Sequence, residues 1–224
     1  MGLRLIAKDF LTYGVGGLRG KVMAGFLFLA APLSAEEVTV LALGDSLTQG
    51  FGLPEAQGFV PQMQAWLRGQ GADVTLINAG VSGDTTAGGA ARVEWSLTPE
   101  VDVMILALGA NDMLRGIDPD VSRENLSKIL TVARAQEVEV LLVGLKAPAN
   151  LGAGYKSDFD AIFPELAAAF GVAYAPDFFV GLEGTAPADL PTYFLPDRLH
   201  PNADGVARIV EGLGPSVLEL VTPD

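Results

Sequence analysis

Two segments near opposite ends of the chain carry residue types that could together perform acyl transfer. Near the start, Gly44-Asp45-Ser46-Leu47 follows an apolar run and places a serine in a glycine-flanked turn. Near the end, Asp197 and the only histidine, His200, are three residues apart. That spacing lets the carboxylate meet one imidazole nitrogen and leaves the other free to act as a base for a serine. Ser46, His200 and Asp197 are therefore candidates for nucleophile, general base and orienting acid.

Two further segments carry the hydrogen-bond donors that acyl transfer needs for a developing oxyanion. Gly83, in Ser82-Gly83-Asp84, offers a backbone N–H that a substrate can approach closely because glycine has no Cβ. Asn111, in Gly109-Ala110-Asn111-Asp112, offers a side-chain amide. Each residue alone is more typical of a turn or a helix cap. Together with the Ser46 N–H, however, they would supply three donors from three adjacent strand ends, which favours an oxyanion-binding site.

The elements that must position these residues alternate along the chain. Five apolar runs have the length and composition of strands buried on both faces, at 38–43, 74–77, 101–108, 138–145 and 172–175. Apolar residues at helical spacing occur at 60–67, 126–133, 159–170 and 202–213, and the last helix continues to 220 if Gly214-Pro215 only kinks it. The alternation predicts an α/β fold with five parallel strands covered by helices on both faces. Ligands bind such sheets beyond the carboxyl ends of the strands, so we expect the site in the loops after the first three.

Residues 1–35 have the pattern of an export signal. Residues 1–21 contain four Lys or Arg and a single Asp, and the uncharged run 22–35 is too short to span a bilayer and ends in Leu33-Ser34-Ala35. We expect cleavage near Ala35, a periplasmic or secreted location, and a single domain over 36–224. An uncleaved anchor and a misassigned start codon are the alternatives.

The composition excludes several classes of function. The chain has no Cys and one His, which excludes a disulfide framework, a thiolate zinc site and a His-rich metal centre. Its net charge of −13, with no cluster of Lys or Arg, argues against nucleic-acid and anionic-lipid partners. We expect no metal, no cofactor and no nucleic-acid partner.

Four blocks of the sequence resemble, in order, the conserved blocks of the SGNH (GDSL) hydrolases. They are Gly44-Asp45-Ser46-Leu47, Gly83, Gly109-x-Asn111-Asp112 and Asp197-x-x-His200. The segments 78–85, 114–116 and 148–150 further resemble the bacterial thioesterase I, lysophospholipase L1 and arylesterase branch. The resemblance implies a flavodoxin-like three-layer α/β/α fold and an exported, cofactor-free serine esterase. It implies Ser46 as nucleophile, His200 as base and Asp197 as its orienter. It also implies an oxyanion hole formed by the N–H groups of Ser46 and Gly83 and by Asn111 Nδ2.

Apolar residues flank these blocks and are candidates for the substrate-binding surface: Phe51, Leu53, Met113, Leu114, Tyr193, Phe194 and Leu195. Such a lining favours acyl or aryl groups over sugars, although core packing beneath the loops explains each residue equally well. Segment 114–118, with Gly116 as a hinge, is a candidate flap. We expect a monomer that hydrolyses arylesters, lysophospholipids or acyl thioesters. A carbohydrate acetylesterase on the same fold and a catalytically silent binding module are the alternatives.

Overall fold

The computed structural model describes residues 37–222. The predicted export signal and its cleavage site lie outside this range. Within it the strands are β1 Val38–Gly44, β2 Val74–Gly80, β3 Val103–Ala107, β4 Glu139–Val143 and β5 Ala173–Ala175. The α-helices are α1 Ser46–Gln49, α2 Phe59–Gly69, α3 Thr86–Ser96, α4 Ala110–Leu114, α5 Pro119–Ala135, α6 Ala153–Phe170 and α7 Ala203–Val221. None of these helices is long and apolar enough to cross a membrane.

The five strands form one parallel sheet in the order β2-β1-β3-β4-β5. This is the flavodoxin-like order, which confirms the predicted fold. β1 lies between β2 and β3, and Gly44 at its end is in register with both Gly80 and Ala107. The carboxyl ends of these three strands therefore meet at one edge of the sheet. The strand order reverses between β1 and β3, the place where such sheets bind ligands.

Helices cover both faces of the sheet and complete a three-layer α/β/α fold. α2 packs against α7 in one layer, whereas α5 packs against both α3 and α6 in the other. The helices meet the sheet through apolar stripes; α5, for example, buries Leu126, Ile129, Leu130 and Ala133. The central strands are buried on both faces, as all five residues of β3 show. This packing holds the strand ends in fixed positions beneath the loops.

The observed strands and helices differ from the predicted ones where strand pairing or close helix packing, and not the hydrophobic pattern, determines the structure. β2 continues to Gly80, three residues beyond its apolar run, because 78–80 pair with the end of β1. α3 has no clear apolar period, and Gly89 brings this helix close to Leu108 and Ile129. α7 begins after the predicted cap Asn202, whose side chain accepts the Gly205 N–H, and runs through Pro215 without ending.

Candidate active site

Ser46 lies at the turn between β1 and the short helix α1. Asp45 caps this helix, and its Oδ1 accepts the Leu47 N–H at 3.0 Å. The turn is tight because a side chain at Gly44 would overlap Thr48 and would lie 2.9 Å from the carbonyl oxygen of Ala107. The packing thus requires glycine before the Asp45-Ser46 pair. Ser46 thus lies at the carboxyl end of β1, between the ends of β2 and β3.

His200 and Asp197 lie in a loop that is tightened by its own backbone. The Leu195 N–H donates to the His200 carbonyl at 2.8 Å, and the Arg198 N–H donates to the Leu195 carbonyl at 2.9 Å. Arg198 has a left-handed backbone, with φ of 57°. Asp197 Oδ1 accepts the N–H groups of Leu199 and His200 at 2.9 and 3.0 Å. The Asp197 carboxylate is therefore held in place before it meets the imidazole.

The two segments meet through a chain of hydrogen bonds. His200 Nε2 is 2.9 Å from Ser46 Oγ, and His200 Nδ1 is 2.7 Å from Asp197 Oδ2. The hydrogen bond to the His200 side chain, together with those to two backbone N–H groups, lowers the pKa of Asp197 to about 2. The Asp197 carboxylate is therefore ionised at neutral pH and faces the imidazole. The ring of Phe51 lies beside the imidazole, with 4.5 Å between ring centroids. The contacts of His200 with Ser46 and with Asp197 are the two that nucleophilic catalysis by serine requires.

The three candidate oxyanion donors come from residues that follow three different strands. Ser46, Gly83 and Asn111 all line the same cavity. Gly83 has a left-handed backbone with φ of 79°, which favours glycine at this position. Within residues 37–222, the N–H groups of Ser46 and Gly83 donate to no other group. They are available to an oxyanion at this place.

Asp45 lies beneath the site, between the Ser46 turn and the Asn111 amide. Asn111 Nδ2 donates to Asp45 Oδ2 at 3.4 Å, a long hydrogen bond. The Asp45 side chain is buried, with 1% exposure, and burial raises its pKa to about 6 against the opposing effect of the Leu47 N–H and the nearby His200. Asp45 is therefore both a helix cap and a partner of one candidate oxyanion donor.

The cavity above Ser46 has a volume of about 400 Å³ and a mainly apolar lining. Besides Ser46, Gly83, Asn111 and His200, three of the predicted substrate-binding residues line it: Phe51, Met113 and Leu114. Asp197 lies behind His200 and does not line it. The structure thus brings all five predicted polar residues together, and their catalytic roles remain predictions.

Four predicted substrate-binding residues do not line this cavity. Leu53 lies in a small adjacent space beside Phe51 and Pro201. Tyr193 faces the Arg208 guanidinium, 5.8 Å from its ring centroid, at a separate surface depression. Phe194 packs against Phe179, and Leu195 packs against Gly52. Tyr193, Phe194 and Leu195 belong to the segment that leads into the His200 loop, whereas Leu53 follows α1.

The cavity also has lining residues that are not among the predicted site residues, including Leu145, Lys146, Asp177, Phe179 and Leu199. The first four follow β4 and β5, so the loops after these strands line the cavity together with the predicted loops after the first three. Lys146 Nζ lies 3.4 Å from Glu183 Oε1 and 3.9 Å from Asp177 Oδ2. Burial raises the pKa of Asp177. In the part of the chain that the structure describes, no group of three or more acidic or His side chains could hold a metal ion.

A serine and a histidine in contact beyond the strand ends of an α/β/α sheet are the arrangement of a serine hydrolase. The GDSL-like Lipase/Acylhydrolase family model matches residues 42–208. The chain belongs to this family of ester hydrolases, as its resemblance predicts.

Individual relatives agree with this assignment. Esterase TesA from Pseudomonas aeruginosa is 33% identical over 91% of this chain and 100% of its own length. An arylesterase from Vibrio mimicus is 35% identical, covering 83% and 90% of the two chains. Thioesterase 1/protease 1/lysophospholipase L1 from Escherichia coli K12 is 32% identical, covering 89% and 92%. A crystal structure of TesA superposes with a TM-score of 0.74 at 34% identity, covering 81% of this chain and 99% of that one.

Proposed function

We propose that the protein hydrolyses acyl esters through an acyl-enzyme in which Ser46 is the nucleophile, His200 the base and Asp197 its orienter. The observation that carries this proposal is the pair of short contacts from the two imidazole nitrogens, 2.9 Å to Ser46 Oγ and 2.7 Å to Asp197 Oδ2. The ionised Asp197 favours the tautomer that carries the proton on Nδ1 and leaves Nε2 free to accept. A binding protein would not need this arrangement.

The reaction follows from the positions of these groups. His200 Nε2 takes the Ser46 proton as Oγ attacks the ester carbonyl carbon. The resulting oxyanion accepts hydrogen bonds from the N–H groups of Ser46 and Gly83 and from Asn111 Nδ2. The tetrahedral intermediate then collapses, and the leaving alcohol or thiol takes the proton from His200. Water, deprotonated by the same nitrogen, attacks the acyl-enzyme and releases the carboxylic acid and free Ser46.

For the substrate, we infer an ester or thioester with an apolar acyl or aryl group. The apolar side chains of Phe51, Met113 and Leu114 line the cavity beside Ser46. Relatives that are named arylesterase and thioesterase 1/protease 1/lysophospholipase L1 support arylesters, acyl thioesters and lysophospholipids as the candidate classes. Residues 114–118 are a candidate flap over this side of the cavity, with Gly116 in a left-handed conformation.

We further propose that residues 1–35 direct export and are removed, so that 36–224 act as one domain outside the cytoplasm. The basic segment and the uncharged run that follows support this proposal. Amino-terminal sequencing of the protein recovered from a periplasmic extract tests it. A new terminus near residue 36 is expected, and an intact Met1 in that fraction would contradict it.

Hydrolysis of p-nitrophenyl esters from acetate to palmitate tests the proposed function. The wild type is compared with Ser46→Ala and with Ser157→Ala, which changes an exposed serine of α6. We expect turnover that rises beyond acetate, is lost in Ser46→Ala and is unchanged in Ser157→Ala. Equal turnover in folded Ser46→Ala would refute the nucleophile. Faster cleavage of acetylated sugars than of medium-chain esters would refute the proposed substrate class.

A further inference from the structure

A buried ion pair lies behind the cavity and takes no part in the reaction described above. Arg92, in α3, donates from Nε to Asp84 Oδ2 at 2.8 Å, and the two side chains are only 11% and 12% exposed. The same guanidinium donates from Nη2 to the carbonyl oxygen of Gly44 at 2.9 Å. One rigid planar group therefore holds acceptors from two separate segments.

Both segments supply parts of the proposed oxyanion site. Gly44 ends β1 and lies two residues before Ser46, whereas Asp84 directly follows Gly83. The guanidinium thus joins the Gly44 carbonyl, which lies just before one N–H donor, to the side chain of Asp84, the residue just after the other. The N–H groups of the guanidinium point in fixed directions. Its two hydrogen bonds therefore fix the distance between the Gly44 carbonyl and the Asp84 carboxylate.

We propose that Arg92 is a positioning residue that sets the separation between the N–H groups of Ser46 and Gly83. The proposal rests on the proposed function, since it assigns these two groups to the oxyanion site. Oxyanion donors act only when they lie close to hydrogen-bond distance from the developing charge, and a misplacement of about 1 Å can reduce the rate about 10²-fold. Arg92 acts through the backbone and does not touch the substrate.

A second arginine holds the same loop from the solvent side. Arg115 Nη2 donates to the Gly83 carbonyl oxygen at 2.8 Å, but this side chain is exposed. Exposed hydrogen bonds compete with water, whereas the Arg92 pair is shielded from it. We therefore assign the main positioning role to Arg92.

The test uses Arg92→Lys in the full-length protein, with steady-state kinetics on a p-nitrophenyl ester. Lysine keeps the charge opposite Asp84 but lacks the planar fork that spans both acceptors. Because oxyanion donors act in the transition state, we expect kcat to fall about 10- to 100-fold while KM changes less than about 2-fold. The rate of Ser46 labelling by a p-nitrophenyl phosphonate, whose tetrahedral adduct needs the same donors, should fall in parallel.

Arg134→Lys is the control for weakening an arginine–carbonyl hydrogen bond away from the site; unlike Arg92, Arg134 is exposed. Arg134 also donates to a backbone carbonyl, that of Phe170 at 2.7 Å, and it lies over the Phe170 ring. It lies near the amino-terminal end of β4, at the edge of the sheet opposite the cavity. We expect Arg134→Lys to keep the wild-type kcat, because its hydrogen bond does not reach the backbone around Ser46 or Gly83.

Asp84→Asn is the second variant, used if Arg92→Lys does not fold. Its side-chain oxygen still accepts from Arg92 without the charge, so we expect a smaller fall in kcat, again at nearly constant KM. Wild-type kcat in either folded Arg92→Lys or folded Asp84→Asn would overturn the proposal, as would an equal loss in Arg134→Lys. Loss of activity in Ser46→Ala beside full activity in Arg92→Lys would refute this inference while leaving the proposed function intact.

Discussion

Asn111 is the one side chain among the three proposed oxyanion donors, so it can be removed without changing the backbone. We predict that Asn111→Ala lowers kcat by about 10²- to 10³-fold, because one donor to the developing charge is lost in the transition state. Its hydrogen bond to Asp45 is long, 3.4 Å, and its loss should leave the fold intact. Steady-state kinetics and a thermal melt on the same samples measure both effects.

Asn150→Ala provides the comparison, since Asn150 is exposed and does not line the cavity. It should keep wild-type kcat and KM. An unchanged kcat in folded Asn111→Ala would remove Asn111 from the oxyanion site and would leave that site with backbone donors alone.

Asp45 gives the stability of the protein a predictable dependence on pH. Burial raises its pKa from 3.8 to about 6 in the folded state. The folded protein therefore holds a proton that the unfolded chain loses above pH 3.8, and stability falls as the pH rises through 6. At about 1.4 kcal/mol for each pKa unit, the total change is about 3 kcal/mol.

Asp45→Asn removes this titration and keeps a side-chain oxygen that can accept the Leu47 N–H. We predict that the free energy of unfolding of the variant, relative to that of the wild type, increases by about 3 kcal/mol as the pH rises from about 3.5 to 7.5, because only the wild type loses stability over this range. Urea unfolding at several pH values measures this difference. A difference that stays constant over that range would show that Asp45 is not buried as a titrating group.

For individual residues, the sequence predicts those that stand out by chemical type and spacing. It does not predict which other side chains line the cavity. Ser46, Asp197 and His200 stand out by type and spacing, and the structure brings them together. Nothing in the sequence shows that Tyr193 faces away from the cavity or that Lys146 lines it. Those facts depend on the path of each loop, which is fixed by packing between distant segments.

The helix that carries Ser46 is positioned by its close approach to β2. A Cβ at Gly80 would overlap the Gln49 backbone N and would lie 2.7 Å from its Cα. We predict that Gly80→Ala displaces α1, lowers the unfolding free energy by about 1 to 3 kcal/mol and reduces kcat at least about 10-fold. Denaturant unfolding and ester turnover measure the two effects.

Gly69→Ala is the matched control, because a Cβ at this helical position meets nothing within 4 Å. We expect it to change stability by less than about 1 kcal/mol, in either direction, and to leave kcat unchanged. Wild-type stability and turnover in Gly80→Ala would contradict this prediction and would mean that the end of β2 shifts to accommodate the methyl group without moving Ser46.

The elements were largely predictable from sequence because apolar runs and helical periods report burial directly. The strands β1, β3, β4 and β5 all lie within or close to their apolar runs. The last residues of β2 and the whole of α3 were missed for a physical reason. Residues 78–80 are held by pairing with β1, and α3 packs closely through small residues such as Gly89. Neither effect leaves a hydrophobic pattern in the sequence.

The charge of the whole molecule bears on which lipid surfaces it can reach. The chain carries a net charge of −13, and its exposed apolar residues at the cavity include Phe51, Leu114 and Leu199. An anionic aggregate repels such a protein over the Debye length, about 30 Å at 0.01 M salt and about 10 Å at 0.1 M. Repulsion should therefore slow the approach to anionic substrate aggregates without altering the chemical step.

We predict that, at low salt, the protein cleaves micellar lysophosphatidylglycerol several-fold more slowly than lysophosphatidylcholine of the same acyl chain. Added salt should reduce this difference because it screens the repulsion between aggregate and protein. Turnover of a neutral, water-soluble p-nitrophenyl ester should be insensitive to the same salt, which separates screening from a direct effect on the enzyme. A preference that persists unchanged up to high salt would place headgroup discrimination in local contacts such as those of Lys146 and Asp177, rather than in the net charge.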